Sequence, residues 1–160
     1  MDNEKIRESY RPRKVKILFV GESAPASGDF FYVRSNMTAH TKRAFEIAYE
    51  RAFDNQTDFL NFFKEQGCYL DDLSHEPVDC FESKRRMQIL QECVPSFSQR
   101  IFEMNPDVVL IALKRIEKYV REAISYSGKD FECFVLPFAG MSHQNKYVDE
   151  LTEILRKHVR

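Results

Sequence analysis

The residues best suited to chemistry stand in one short loop. Gly21, Glu22, Ser23, Pro25, Ser27 and Gly28 form a polar stretch directly after the apolar run Val15–Val20. Glu22 either serves as a functional carboxylate, or caps the next helix or bonds loop amides. Ser23 either bonds its own backbone, as serines in turns do, or takes part in chemistry. Its hydroxyl is no general base at neutral pH without a partner. Phe30, Phe31 and Tyr32 follow at once. They either anchor the loop to the core or offer a flat face to a planar ligand.

Other reactive residues lie in later loops. Asp71 and Asp72 are adjacent acids after a second apolar run, one placed to cap or turn and one to face a pocket. Lys114 and Arg115 open a helix directly after a strand, where they contact a phosphate or are solvated. Lys84, Arg85 and Arg86 crowd a helix start and oppose its dipole, so either solvent or an anion offsets them. His143 precedes the final helix and either caps it or takes part in catalysis. His40, His75 and His158 read as surface residues. Cys68, Cys80, Cys93 and Cys133 contain no C-x-x-C pair, so no metal or redox site is expected. They read as reduced, mostly buried thiols.

The elements that must position these groups follow from the pattern. Strands are expected at Val15–Val20, Cys68–Leu70, Asp107–Leu113 and Phe131–Leu136. Val15–Val20 is apolar at five of six positions and Asp107–Leu113 is a run rather than an alternation, which suits strands buried on both faces. Helices are expected at Thr38–Phe53, capped by Thr38 or Thr41, and at Thr57–Gln66, capped by Thr57 and stopped by Gly67. Glu82–Val94 reads as a helix with Met87, Leu90, Cys93 and Val94 inward. Pro95 then starts another through Met104, with Phe97, Ile101 and Phe102 buried. Lys114–Ser125 and Asn145–Val159 complete the set. Alternating strands and helices make an α/β domain, a three-layer α/β/α sandwich on a small four-stranded parallel sheet. Ligands of such sheets sit at the carboxyl ends of the strands. There the loops Gly21–Tyr32, Asp71–Phe81, Lys114–Arg115 and Pro137–Gln144 converge.

Composition sets outer bounds. The chain has 160 residues, 43% hydrophobic and 31% charged, which fits one globular domain with a real core. Residues 1–14 read as a frayed N-terminal arm and 15–160 as the domain. No apolar run is long enough for a membrane helix, and Met1–Lys14 lacks the apolar core of a signal peptide. A cytoplasmic monomer without membrane attachment is expected. A net charge of -1 argues against bulk electrostatic binding of nucleic acid but allows a local basic groove.

The four loops together resemble the motif set of the uracil-DNA glycosylase superfamily, in the same order over most of the chain. Gly21-Glu22-Ser23-Ala24-Pro25 with Gly28-Asp29-Phe30-Phe31 is similar to the first motif of the iron–sulfur branch, Gly-Glu-Ala-Pro-Gly followed by Gly-x-x-Phe. Tyr69-Leu70-Asp71-Asp72-Leu73 resembles its Tyr-x-x-Asn-Leu, with Asp72 at the asparagine position. Residues 105–113 resemble the segment that ends Ala-Leu-Gly, with Lys114 in place of Gly. Val135–Ser142 falls where the family has a His-Pro-Ser clamp.

The resemblance implies a DNA base-excision enzyme that hydrolyses the N-glycosidic bond of a flipped, damaged or deaminated base. Gly21 and its loop would hold the base, with Glu22 and Ser23 beside the attacking water. Phe31 would stack on the base and Asp72 would read its edge. His143 would support the leaving base, and Lys114, Arg115 and Ser142 would contact DNA. The departures are specific. Ser23 stands where the most active branch has a water-activating Asp, and the His-Pro-Ser triplet is absent. The cysteine spacing does not match the iron–sulfur ligands, so no cofactor is expected. Asp72 as a carboxylate offers acceptors only, which favours a base edge rich in N–H donors. An alternative is a descendant that binds a nucleobase or nucleic acid without cleaving it. A further one is a small esterase with Ser23 as nucleophile and His143 as base, since Gly21-Glu22-Ser23 also resembles a Gly-Asp-Ser block. That enzyme class has an Asp-x-x-His near its end, which is missing here.

Overall fold

A computed structural model describes residues 2–140 and 143–158. Ser142 lies outside them. Four strands, β1 (Ile17–Gly21), β2 (Cys68–Asp72), β3 (Val108–Ile111) and β4 (Glu132–Val135), form one parallel sheet in the order β2-β1-β3-β4. β1, β2 and β3 are buried along their whole length. The apolar runs Ile17–Val20 and Val108–Ile111 require this of β1 and β3, because a strand covered on both faces has no solvent side for polar residues; β2 carries the buried acids Asp71 and Asp72 at its end. β4 is an edge strand and only half-buried.

Helices cover both faces. α2 (Asn36–Ala48), α3 (Gln56–Glu65) and α6 (Gln144–His158) form one layer, and α4 (Ser83–Met104) and α5 (Glu117–Ser127) the other. Buried hydroxyls tie the helices of each layer together. Thr41 Oγ1 and Tyr147 OH meet at 2.7 Å between α2 and α6. Ser98 Oγ donates to the Ala123 carbonyl at 2.7 Å between α4 and α5. The expected α/β/α sandwich is therefore the architecture. The long core is aromatic on one side, where Phe19, Phe45, Phe59 and Phe63 pack ring against ring.

Several local expectations are corrected. α4 is one continuous helix through Pro95, not two. The proline ring faces solvent, where the Gln91 carbonyl freed by the missing N–H can be hydrated. The buried stripe Leu90, Val94, Phe97, Ile101 and Met104 keeps its phase across the proline. Met87 and Phe102, expected inside, are half-exposed. Met87 lies in the overhanging first turns, and Phe102 sits beside the stripe with Lys129 Nζ 4.1 Å from its ring centroid. Ser35 and Asn55, not Thr38 and Thr57, cap α2 and α3. Thr38 instead donates its buried hydroxyl to the Phe31 carbonyl at 2.6 Å. The basic pair Lys114-Arg115 opens a 3-10 turn, Lys114–Ile116, ahead of α5. Of the cysteines only Cys68 is fully buried, and Cys80 is exposed.

The N-terminal segment is not a frayed arm. It forms helix α1 (Asn3–Ser9), capped by the Asp2 carboxylate, which accepts from the Glu4 and Lys5 amides. Its one buried side chain is Arg7, 3% exposed. Next to it, Tyr10 stacks on Tyr32 at 5.2 Å between centroids. Tyr32 OH donates to the Leu70 carbonyl at 3.0 Å and accepts the Leu70 N–H at 2.6 Å. That hydroxyl occupies backbone groups on the free edge of β2, which would otherwise be an exposed pairing edge. Among the described residues, no helix is long and apolar enough to cross a membrane.

Candidate functional site

β1 crosses to β2 on one side, and β3 pairs on its other side. The chain therefore parts above β1, and a crevice opens at the carboxyl ends of the strands. A cavity of about 430 Å³ lies there. The loops after β1, β2, β3 and β4 all contribute to its wall, as the sequence led one to expect.

Gly21 is the last residue of β1 and pairs in register with Asp72, the last of β2. The ladder runs on past the strands, since Leu73 and Ser74 amides donate to the Gly21 and Glu22 carbonyls at 2.8 and 2.9 Å. This holds the start of the loop rigid. A Cβ built on Gly21 would run into Asp72 Oδ1. Glycine is needed here for that close approach, and φ has no part in it.

Asp72 is buried and lines the cavity. Its Oδ2 accepts from Arg7 Nη2 at 2.7 Å. Its Oδ1 makes no hydrogen bond with any described residue. Burial and the charge of Asp71 outweigh Arg7 and push the carboxyl up to about 6. Asp71 points away from the cavity, and its oxygens meet His75 Nε2 at 2.8 Å and Arg100 Nε at 2.9 Å. Burial opposes its charge, but these partners hold its pKa below the usual value. So of the two adjacent acids Asp72 lines the cavity, while Asp71, expected to cap or turn, is instead a strand residue paired with Arg100 and His75.

Glu22 also lines the cavity and is held by two guanidinium groups. Arg115 bonds it in a fork, Nε to Oε2 at 2.8 Å and Nη2 to Oε1 at 2.9 Å. Arg86 Nη2 bonds Oε1 as well. Burial alone would raise this carboxyl, yet the two arginines lower it below its ordinary value. The anion that offsets the basic start of α4 is thus supplied by the chain itself. Ser23 is half-buried on the wall, and its hydroxyl bonds no described residue.

The aromatic triplet serves the core. Phe30, Phe31 and Tyr32 are all buried. Phe31 packs against Tyr32 and Phe63 at 5.1 and 5.4 Å between centroids, yet it still forms part of the cavity wall. His143 is exposed and is not among the lining residues. Its amide donates to the Gly140 carbonyl and its carbonyl accepts from Tyr147, both at 3.0 Å, so its backbone starts α6. Lys114 is exposed and outside the lining, whereas Arg115 is part of it.

Three residues of the site were not singled out from sequence as part of it. Arg86 appeared only in a basic cluster. Arg7 lay in a segment without an apolar stripe, and the signal was the demand of two buried acids for a cation. Phe138, 49% exposed on the cavity rim, follows Pro137 in the last loop. A bulky exposed ring after a proline at a strand's carboxyl end was the available clue. Among the described residues, no group of three or more His, Cys, Asp and Glu side chains is arranged to hold a metal ion. No protein-family model matches this chain, and no curated protein matches it either.

Proposed function

We propose that the cavity receives a nucleobase turned out of DNA and that the protein hydrolyses its N-glycosidic bond. The observation that carries this reading is Asp72 Oδ1. It is a hydrogen-bonding atom without a partner among the described residues, on a buried side chain that lines the cavity together with the Phe31 ring. A recessed polar atom beside a flat apolar wall is what reads the edge of a planar heterocycle. The Arg115 side chain, 57% exposed at the same cavity, supports a polyanionic partner.

In the reaction, a water oxygen bonds to the sugar C1′ and the bond from C1′ to the base nitrogen breaks. The electron pair leaves on the base, and the proton the water gives up passes to solvent, which returns one to the base nitrogen. Glu22 is held anionic, so it orients water and faces positive charge on the sugar better than it takes the proton. A protonated Asp72 donates a hydrogen bond to the departing base and disperses its negative charge. Ser23 supplies a further hydrogen bond to the water. The base-excision role of such chemistry is DNA repair.

A second reading is a pocket that binds a base without cleaving it. One observation favours it: both Glu22 oxygens are occupied by guanidinium groups. An excision assay separates the two. Labelled oligonucleotides with uracil, hypoxanthine, xanthine or mismatched thymine, single- and double-stranded, are incubated and treated with alkali. Strand breaks lost in Asp72→Ala and Glu22→Gln establish excision. Binding without breaks establishes the second reading, and neither result leaves no nucleobase role.

A further inference from the structure

The two oxygens of the Asp72 carboxyl have different neighbours. Oδ2 belongs to Arg7 from α1. Oδ1 leans on the Cα of Gly21, where no side chain can intervene. Arg7 is itself held in place. Its Nη1 bonds Glu4, its Nε lies 3.8 Å from Asp71 Oδ1, and its guanidinium carbon lies 5.0 Å from the centre of the Phe30 ring. Arg7 is 3% exposed, so its position is set by packing on every side.

We propose that Arg7 is a positioning residue that reserves Asp72 Oδ1 for the ligand and thereby determines which base edge the cavity accepts. This rests on the nucleobase reading above. The physical reason lies in where a proton can sit. A guanidinium only donates, so an oxygen facing it must accept. A proton on Asp72 is therefore confined to Oδ1, the oxygen left for the ligand. With the proton, Oδ1 donates and suits a carbonyl, such as the O4 edge of uracil. Without it, Oδ1 accepts and suits an amino group, such as the N4 edge of cytosine. Because this carboxyl sits near 6, both forms lie within reach of ordinary conditions.

The charged groups around Asp72 come from several elements. Arg7 approaches from α1, and Asp71 precedes Asp72 on β2. Arg100 reaches from α4 and donates to the Asp72 carbonyl at 2.8 Å. His75 lies in the following loop against Asp71 and Glu4. Arg7 is the only one of these with a hydrogen bond to the Asp72 carboxyl itself.

The test joins a titration to a binding measurement. The Asp72 carboxyl carbon is followed by ¹³C NMR in the wild type, Arg7→Lys and Arg7→Gln. The same proteins are titrated with single-stranded oligonucleotides carrying one non-cleavable 2′-fluoro uracil or cytosine nucleotide, from about pH 5 to about pH 8, spanning the Asp72 midpoint. The wild type should favour uracil at the acid end and cytosine at the alkaline end, the ratio changing by about tenfold, the worth of one hydrogen bond. Arg7→Gln should raise the Asp72 midpoint by about one pH unit and carry the crossover with it. Arg7→Lys should keep the midpoint nearer the wild type but flatten the ratio, since a point charge does not fix one oxygen as a fork does. If Arg7→Gln does not fold, Arg7→Lys alone decides through that ratio. Should the midpoint and the crossover stay put in the folded variants, the proposal falls. If the wild type binds neither oligonucleotide, the nucleobase reading falls and takes the selectivity role with it. A midpoint that still rises in Arg7→Gln would then show that the fault lay in the ligand class, not in the pairing.

Discussion

Arg115 and Glu22, 93 residues apart in sequence, form a two-point fork at 2.8 and 2.9 Å above the end of β1. A parallel fork of this kind is both stronger and more directional than a single ion pair. Because Arg86 shares one of the oxygens, the carboxylate is fixed on three bonds, and the two arginines hold its pKa below the ordinary value against the pull of burial.

Replacing Glu22 with Gln keeps the shape and removes the charge. The cost should be about 1–3 kcal/mol at neutral pH, since two guanidinium groups lose their anion but Arg115 remains half in solvent. Glu22 titrates below its unfolded value of 4.5, so its contribution is present above that value and is lost as pH falls through the folded one. Urea denaturation at neutral and acid pH should therefore show the difference between the two proteins shrinking in acid. An equal difference at both would mean that the lost contacts are not electrostatic.

Asp72 runs in the opposite direction. Its folded pKa of about 6 lies above the unfolded 3.8, so folding favours the protonated form. That advantage is complete below the unfolded value and disappears as pH rises through about 6, a change of roughly 3 kcal/mol. Asp72→Asn does not titrate and still offers Arg7 an oxygen. Its stability should gain on the wild type as pH rises from about 4 to about 6 and then hold level toward neutral. Parallel denaturation midpoints across that window would contradict the assignment.

Gly21→Ala places a methyl group where Asp72 Oδ1 now lies. The variant should lose about 1–3 kcal/mol of stability, the usual range for inserting a group into a packed site. It should also lose ligand binding more completely than that loss explains, because the displaced oxygen is the one that faces the cavity. Thermal denaturation and anisotropy binding on the same samples make the comparison. Binding at the wild-type level would show that Oδ1 does not contact the ligand.

Two rings of the cavity wall, Phe31 and Phe138, should part company. Phe31 is 5% exposed and packed among Tyr32 and Phe63, so Phe31→Ala should cost about 3–5 kcal/mol in stability. Phe138 is half in solvent, and Phe138→Ala should change stability by no more than about 0.5 kcal/mol. If Phe138 stacks on a base, its loss should weaken oligonucleotide binding by about 1–3 kcal/mol. Unchanged affinity would make Phe138 a bystander at the rim.

What could be read from the sequence follows from which forces are local. The strands announce themselves because residues 17–20 and 108–111 are uninterrupted apolar runs, and only a doubly covered strand uses such a run. Gly21 and Glu22 end the first of those runs and Asp72 follows the shorter run Cys68–Leu70, so all three could be placed at the crevice they line. Pro95 misleads because its effect on a helix depends on which side the ring faces, and only the Leu90 to Met104 stripe running through it discloses that. Phe30 to Tyr32 admit two readings from composition, and in the folded chain all three are buried in the core while Phe30 and Phe31 also line the cavity. Arg7 could not be assigned, since a pairing over 65 residues leaves no periodic trace.

α1 also bears on how the protein is best handled in the laboratory. Trimming the chain to begin at the first strand would leave the sheet's apolar content almost intact. It would nevertheless strip the cation from between Asp71 and Asp72, leaving two neighbouring acids in a dry site with Arg100 and His75 to serve them. A boundary drawn by hydrophobicity alone would thus cut away a part of the interior, the buried Arg7 at the end of β2.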